Sequence, residues 1–387
     1  MTSILKNRVI VALGAMTITV LALIFLQFKS PSEQQEWQWN LPAHFPIPLV
    51  PADNPMSEDK FQLGRSLFYD KRLSGNGTMA CASCHFQNLA FTDGKAVATG
   101  STGEHTLRSA QGLANSVYHP YFTWANYALG SMERQMIVPL TGERPVEMGI
   151  NDATQPLMQT RLEMDEYYAK QFQRLFPNEK NPIRVENIIK AISTFQRGMI
   201  SANSKYDQSL MNNTPLSENE ERGRKLFFSD QAQCSQCHGS FNFNDQVIAA
   251  NIPEVKTPFH NTGLYNLDGN GAFPEGNRGI FEVSDDLKYM GAFRAPSLRN
   301  VAVTAPYMHD GSIATLEGVL DFYANHGRNI ESGPFKGDGR ASPLKDKRID
   351  KISLSAQEKA DIIVFLNTLT DHEFLSNPRF SNPFGEK

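Results

Sequence analysis

Apolar side chains recur at spacings of three and four residues in several parts of the chain, the period that gives an α-helix one buried face. Two such segments are each expected to form a helix that closes one half of the chain. Their apolar positions are Ile188, Ile189, Ile192 and Phe195, and Ile362, Ile363, Phe365, Leu366 and Leu369. Stretches rich in Gly, Asn and Pro at 261–278 and 333–343 are predicted loops. The pattern predicts an all-α fold, mainly helical with long loops.

An internal repeat precedes these closing helices. The chain reads GRSLFYD at residues 64–70 and GRKLFFSD at residues 223–230. The glycine of each copy is expected to let its own helix contact the closing helix closely. Serines and glutamates at helix starts support the same boundaries. They are Ser57 before the first copy, Ser217 with Glu220 before the second, and Ser355 with Glu358 before the last helix. Two similar helical units joined near residue 205 follow from this pattern.

Each copy of the repeat is followed by a Cys-x-x-Cys-His run. The two runs are Cys81, Cys84 and His85, and Cys234, Cys237 and His238. Two thioether bonds can hold a porphyrin edge while the adjacent imidazole reaches the iron. A thioredoxin-like redox pair does not require the histidine, and a zinc site would need all four cysteines to converge. We therefore predict two covalently bound c-type haems, with His85 and His238 as iron ligands.

The N-terminal residues predict export. Apart from Gln27, residues 9–28 carry only apolar, small or hydroxyl side chains, and they follow the basic Lys6 and Arg8. At ~1.5 Å per residue, a helix of that length can cross a bilayer core of ~30 Å. Residues 1–30 are interpreted as an inner-membrane anchor or, alternatively, as a cleaved signal, and either places the rest in the periplasm. Residues 31–55 are predicted to be an extended linker, followed by haem domains at 56–204 and 205–387.

Composition narrows the choice of partners. With 40% hydrophobic and 20% charged residues, the chain has the composition of an ordinary globular protein. The formal net charge of -4 provides no basic surface for a phosphate backbone. Nucleic acid is therefore not an expected partner.

Further motifs resemble those of the bacterial di-haem cytochrome c peroxidase/MauG family. They are LSGNG at 73–77, FTDG at 91–94, RAPSLRN at 294–300 and APYMHDGS at 305–312. Four others are more similar to the MbnH-type branch of methanobactin-associated enzymes, whose members oxidise a partner protein. These are FPIP at 45–48, PADNPM at 51–56, TWAN at 123–126 and GERPVEMG at 142–149. The resemblance covers about 51–369 and implies two cytochrome c-like domains, with an open iron site at the first haem and a six-coordinate second haem.

For the first haem, the resemblance implies that Glu147 is the acid/base group and Gln135 the hydrogen bonder that positions peroxide. A carboxylate can move a proton between the two oxygens while the O–O bond breaks, which agrees with this role. A small insertion around 141–144 leaves Glu143 as an alternative acid. Trp124 resembles the aromatic residue between the two haems, with a plain core tryptophan as the alternative. His105 is expected in a surface loop, with a removable iron ligand as the alternative.

For the second haem, the resemblance implies that Tyr323 ligates the iron, as in MauG-type enzymes. Ordinary peroxidases have methionine at this position, and a phenolate favours higher oxidation states than a thioether does. Met308 is the rival ligand, and a core tyrosine is the other alternative. Carbonyl oxygens of Thr304 and Pro306 match a calcium site of relatives, although the expected Asn near residue 109 is missing. His260 is expected to hydrogen-bond near the haem.

The preferred function is a MauG/MbnH-like oxidase that uses hydrogen peroxide to form high-valent iron and oxidise a periplasmic partner protein. A cytochrome c peroxidase that detoxifies hydrogen peroxide with electrons from a redox partner is the second hypothesis, and Tyr323 argues against it. A non-catalytic di-haem electron carrier is the third, and Glu147 and Gln135 argue against that.

Overall fold

Most regular structure is helical in the part of the chain that the computed structural model describes, residues 37–211, 214–252 and 256–385. The helices are α1 (Glu58–Tyr69), α2 (Met132–Thr141), α3 (Gln155–Glu163), α4 (Glu166–Leu175), α5 (Val185–Arg197), α6 (Lys205–Leu210), α7 (Glu218–Phe227), α8 (Ser235–His238), α9 (Phe281–Ser284), α10 (Leu316–Ala324) and α11 (Ala356–Asn367). Strands β1 (Asn329–Ile330) and β2 (Gly337–Asp338) pair antiparallel. Short 3-10 helices lie at Lys71–Leu73, Cys81–Ser83, Gln87–Leu89, Ser116–Tyr118, Leu287–Tyr289, Val301–Val303, Gly339–Ala341 and Ile349–Lys351. The predicted mainly helical fold with long loops is confirmed, whereas the small hairpin was not predicted.

Helices α1 and α5 form the core of the first half. Gly64 of α1 lies so close to α5 that a Cβ atom there would be 1.9 Å from the Ala191 carbonyl oxygen. Around this contact, the rings of Phe61 and Phe68 pack edge-on against Phe195, with centroids 5.2 and 5.3 Å apart. The close helix contact predicted for this glycine is confirmed.

Helices α7 and α11 repeat the same arrangement in the second half. A Cβ atom on Gly223 would lie 1.9 Å from the Asp361 carbonyl oxygen. The Phe227 and Phe365 rings lie 5.4 Å apart beside it and belong to one buried cluster. The two glycines of the sequence repeat therefore have the same structural role, which explains why the repeat includes them.

Side-chain caps fix where three of these helices begin. Each serine accepts a hydrogen bond from a backbone amide in the first turn, and two of the three caps also have the reciprocal glutamate bond. The residues are Ser57 for α1, Ser217 with Glu220 for α7, and Ser355 with Glu358 for α11. All three predicted helix starts are confirmed.

The C-terminal segment 371–385 packs on the first half. The Tyr69 hydroxyl donates a hydrogen bond to the Phe380 carbonyl at 2.7 Å, and the Gln87 amide donates to the Phe374 carbonyl at 3.0 Å. The chain from Trp39 to Lys387 forms one compact unit. The division into haem domains at 56–204 and 205–387 stays a prediction.

The segment from Trp39 to residue 55 is non-helical, as expected, but it is not a free linker. Phe45 is buried among apolar side chains of both halves. The Tyr118 hydroxyl donates to the Pro46 carbonyl at 2.7 Å, and the Ala250 amide donates to the Ile47 carbonyl at 2.9 Å. The linker prediction for 31–55 is therefore wrong for this part, because aromatic and backbone groups attach it to the body.

Within the described residues, no helix is long and apolar enough to cross a membrane. The segment 9–28, for which an anchor or a signal was predicted, lies outside the described residues.

Candidate haem sites and the cavity beside them

The second Cys-x-x-Cys-His run forms the short helix α8. His238 Nδ1 donates a hydrogen bond to the Phe243 carbonyl at 2.9 Å. Since a carbonyl can only accept, this bond leaves Nε2 without a proton, which is the form that binds iron. Burial lowers the pKa of His238, so the imidazole stays neutral. His238 is therefore prepared to ligate a metal through Nε2.

The first run repeats this geometry, with a 3-10 turn in place of the short helix. His85 Nδ1 donates to the Phe91 carbonyl at 2.5 Å, and burial lowers the pKa of His85. Burial also raises the pKa of Cys81 to about 12 and of Cys84 to about 11. These thiols are protonated at neutral pH and partly accessible, so they are not pre-ionised redox thiols.

The same backbone device positions both histidines. The residues that supply the accepting carbonyls, Phe91 and Phe243, are non-glycine residues with φ of 63° and 52°. This left-handed conformation is uncommon for an aromatic residue and persists only where the surrounding structure imposes it. Both phenylalanine rings are fully buried. Packing of each ring thus fixes the turn that orients the neighbouring histidine.

These features fit covalent haem better than the alternatives. All four cysteines are free, which excludes two disulfides. Among the described residues, the only cluster close enough for a metal ion is Cys237 with Asp245 and His260, whose ligand atoms lie within 4.8 Å of one another. The four cysteines do not converge as a zinc site would require. Each run combines two free thiols with a neutral, oriented histidine, as a c-type haem needs.

A cavity of about 260 Å³ lies beside the second run. Its walls include Cys234, Cys237 and His238 together with Tyr323 and Met308. The structure therefore brings the predicted iron ligand Tyr323 and its rival Met308 to the same cavity as the residues predicted to bind the second haem. Thr304 and Pro306 also line it, while the calcium ion suggested for them stays a prediction.

Burial raises the pKa of Tyr323, and the nearby thiols of Cys237 and Cys234 raise it further. Conversion of those thiols to neutral thioethers would remove their contribution. The remaining desolvation means that a phenolate at Tyr323 needs a cation beside it, and a ferric iron would supply that charge.

Glu147 lies near the first run, since its charge contributes to raising the pKa of both Cys81 and Cys84. Burial raises the pKa of Glu147 itself, and its carboxylate has no hydrogen-bond partner among the described residues. Glu143, the alternative acid, is exposed in the loop after α2. The position and half-burial of Glu147 suit a proton-transfer group better than those of Glu143 do.

Gln135 and His105 occupy different surroundings. Gln135 is half-buried on α2, and its amide makes no hydrogen bond to Glu147. His105 is exposed, and its Nδ1 shares a hydrogen bond of 3.1 Å with the Thr99 hydroxyl. A surface-loop position for His105 agrees with expectation. The predicted pairing of Gln135 with Glu147 around peroxide stays a prediction.

Trp124 also lines the cavity and connects the two halves. Its indole Nε1 donates to the Ser109 carbonyl at 2.9 Å, while the Ser109 hydroxyl donates to the Met308 carbonyl at 3.2 Å. Ala90 and Thr92, which flank the carbonyl that binds His85, line the same cavity. Trp124 thus lies at a cavity that is lined by the second haem motif and, on the side of the first, by Ala90 and Thr92. Its role between the haems stays a prediction.

His260 forms part of a charged network beside Cys237. Burial alone would lower the pKa of His260, but hydrogen bonds to Asp245 at 2.6 Å and Asp346 at 3.2 Å raise it to about 11. Both ring nitrogens are therefore occupied by carboxylates, and His260 is not free to ligate iron. This agrees with its predicted role as a hydrogen bonder near the haem.

Sequence reasoning missed a polar group in the same cavity, formed by Gln111, His119 and Arg294. His119 belongs to none of the sequence motifs, and Arg294 stands out in the sequence only as part of RAPSLRN. The three side chains come together through contacts between distant parts of the chain. The one available signal was Arg294 itself, the charged residue that opens this motif.

Known proteins resemble this chain over most of its length. The sequence profile of the family described as di-haem cytochrome c peroxidase matches residues 58–215. The chain is 32% identical over 355 residues to the cytochrome-c peroxidase IdrP1 of Pseudomonas sp. (strain SCT), covering 86% of this chain and 88% of that one. It is 30% identical over 320 residues to the methylamine utilization protein MauG of Methylorubrum extorquens, covering 82% and 80%. The crystal structure of a MauG-like protein associated with microbial copper homeostasis has a TM-score of 0.88 and 55% identity, over 90% of this chain and 99% of that chain.

Proposed function

Because the chain belongs to the di-haem cytochrome c peroxidase family, it is a peroxidase-type oxidoreductase, and we propose that it oxidises a side chain of a partner protein in the periplasm. Hydrogen peroxide is the oxidant in this proposal, and two c-type haems are the cofactors. The similarity to MauG and to a MauG-like protein supports protein modification. The predicted N-terminal anchor or signal supports the location.

Proton transfer at the first haem is assigned to Glu147. When bound, the haem supplies the iron at which peroxide is reduced. The Glu147 carboxylate takes the proton from the near peroxide oxygen and returns it to the leaving oxygen, which departs as water. Half-burial supports this role because it brings the carboxyl pKa closer to neutrality. The Gln135 amide is assigned to hold the peroxide by a hydrogen bond.

The observation that carries the protein-oxidation proposal is the position of Tyr323 in the cavity beside the second Cys-x-x-Cys-His run. A phenolate ligand stabilises oxidised iron, so the second haem would hold an oxidising equivalent and not act as a high-potential electron store. Trp124 lies at the same cavity, where an indole would shorten the electron path between the haems. Together these residues favour withdrawal of electrons from a partner protein over their acceptance from a donor cytochrome.

Substitution of the two rival ligands tests this proposal. In Tyr323→Phe, the EPR and resonance Raman signals of the second haem should change, whereas Met308→Leu should leave them as in the wild type. Tyr323→Met should raise the potential of the second haem, make it reducible by a donor cytochrome and abolish oxidation of the partner protein. An unchanged second-haem spectrum in Tyr323→Phe, with a changed one in Met308→Leu, would refute the proposal.

A second candidate function is detoxification of hydrogen peroxide with electrons from a small cytochrome. The specific observation in its favour is the thioether of Met308, which lines the same cavity as His238. Relatives named cytochrome-c peroxidase are compatible with it. Steady-state peroxide consumption with a reduced cytochrome donor would be fast in this case and slow in the preferred one.

A further inference from the structure

Arg294 is an almost fully buried cation without an anionic partner among the described residues. It is 4% exposed, and no carboxylate of residues 37–211, 214–252 or 256–385 lies within ion-pair distance of it. One terminal nitrogen, Nη1, donates to the Tyr121 carbonyl at 3.0 Å, and the other, Nη2, donates to the Gln111 side-chain oxygen at 2.7 Å. Nε has no partner. A buried guanidinium in this state is costly unless an anion accompanies it.

Two neighbouring side chains also carry a buried polar atom without a hydrogen-bond partner among the described residues. His119 is 6% exposed and its Nε2 has no hydrogen-bond partner in the described part of the chain. The Gln111 amide nitrogen is buried and likewise has no hydrogen-bond partner among the described residues. Burial and the charge of Arg294 lower the pKa of His119 well below its usual value, so this histidine is neutral and can donate only from one nitrogen. Buried polar atoms are nearly always hydrogen-bonded, and three such atoms in one place indicate a missing acceptor.

The acidic side chain with an electrostatic effect on Arg294 is Asp245, but it is not that acceptor. Its Oδ2 accepts a hydrogen bond from His260 at 2.6 Å. Its buried Oδ1 accepts no hydrogen bond from Arg294 or from any other described residue, and the two side chains form no ion pair. Burial lowers the pKa of Arg294 to about 10, and the charge of Asp245 offsets this effect only in part. The acceptor therefore has to come from a bound group.

We propose that Arg294, Gln111 and His119 form a carboxylate-binding site that receives a propionate of the haem attached at Cys234 and Cys237. All three line the cavity that those cysteines also line, whereas Cys81 and Cys84 do not line it within the described residues. A carboxylate has enough lone pairs for all three donors and neutralises the guanidinium. Arg294 is thus a positioning residue that also sets the reduction potential of the second haem.

The proposal rests on haem attachment at Cys234 and Cys237 and does not require any activity toward peroxide. Holoprotein should be compared as wild type, Arg294→Gln and Arg294→Lys, with Arg340→Gln as a matched control because Arg340 is exposed. Loss of the positive charge in Arg294→Gln should lower the equilibrium constant for reduction of the second haem about tenfold, or ~59 mV for one electron. Arg294→Lys should restore most of the lost equilibrium constant, because lysine keeps the positive charge. The equilibrium constant for reduction of the first haem should change by less than twofold in every variant.

If Arg294→Gln does not fold, a second variant tests the proposal. In His119→Phe, the propionate bending bands of the resonance Raman spectrum should shift, while the iron-ligand bands stay in place. Wild-type potentials should not respond to added formate, because the haem's own carboxylate occupies the site. Formate-dependent potentials would show a site for free anions and overturn the proposal, as would unchanged potentials and Raman bands. A haem count on each sample separates these outcomes from a failure of haem attachment.

Discussion

Replacement of Glu147 by glutamine tests the proposed chemistry at the first haem most directly. The amide keeps the size of the side chain but cannot take up the peroxide proton. General acid–base groups contribute ~10²–10⁴-fold to rates, so the spectral change after mixing with hydrogen peroxide should slow by that factor. Glu143, four residues before Glu147 in the same loop, provides a matched control because it is exposed and has the same chemistry. Glu143→Gln should react within about twofold of the wild type.

The pH dependence supplies a second, independent signature. Burial raises the pKa of Glu147 above its usual value of 4.5. Since the carboxylate is the form that accepts the proton, the wild-type rate should rise with pH through this raised pKa and be lost below it. Glu147→Gln should show no such inflection.

The same pKa shift predicts the effect on stability. The folded state prefers the protonated carboxyl, so the contribution of Glu147 to stability is lost as pH rises from its usual pKa to the raised one. Glu147→Gln should therefore be no less stable than the wild type at pH 7, and a slow reaction cannot be attributed to unfolding. A normal reaction in Glu147→Gln combined with a slow one in Glu143→Gln would show that the acid had been placed wrongly.

Three further predictions concern attachment and stability. Cys81→Ala should lose attachment of the first haem and keep the second, as counted by haem-stained gels and pyridine haemochrome spectra; two attached haems would refute the assignment. Gly223→Ala should lower the free energy of unfolding by ~1–3 kcal/mol or more in denaturant titrations, because its Cβ would lie 1.9 Å from a carbonyl oxygen of α11, whereas Gly130→Ala, with 3.8 Å to its nearest atom, should change it little. Asp207→Asn should cost ~3–5 kcal/mol, because Arg299 would be left buried without its partner at 2.8 Å. Burial alone would raise the pKa of Asp207, but Arg299 lowers it, so this stabilisation should be present above the usual value of 3.8 and lost as pH falls through the lowered pKa.

Local patterns predicted most of the helical core. The helix starts at Ser57, Ser217 and Ser355 and the close helix contacts at Gly64 and Gly223 were predicted correctly, because each depends on residues a few positions apart or on a repeated motif. The packing of 39–55 and of 371–385 was not predicted. Those segments carry no helical period, and tertiary contacts alone decide where they lie.

Some residues of the candidate site could likewise be predicted from the sequence, and others could not. Motif chemistry identified His85 and His238, and the resemblance to a family directed attention to Tyr323 and Glu147. His119 could not be found from the sequence, because its significance depends on a buried Arg294 that is close only in the folded chain. A lone histidine has no periodic or motif signal before that contact exists.

The left-handed turn at Phe91 links His85, the predicted ligand of the first iron, to the C-terminal segment 371–385. The atom that accepts the hydrogen bond from His85 is the main-chain carbonyl oxygen of Phe91, so a substitution of the Phe91 side chain would keep this acceptor. It would, however, remove the ring packing that fixes the left-handed turn and with it the direction of the hydrogen bond. The Phe91 ring packs 5.7 Å from the ring of Phe374, which belongs to the C-terminal segment. Removal or displacement of that segment would therefore rotate the His85 imidazole. The reduction potential of the first haem would then change although no residue predicted to bind this haem had been altered.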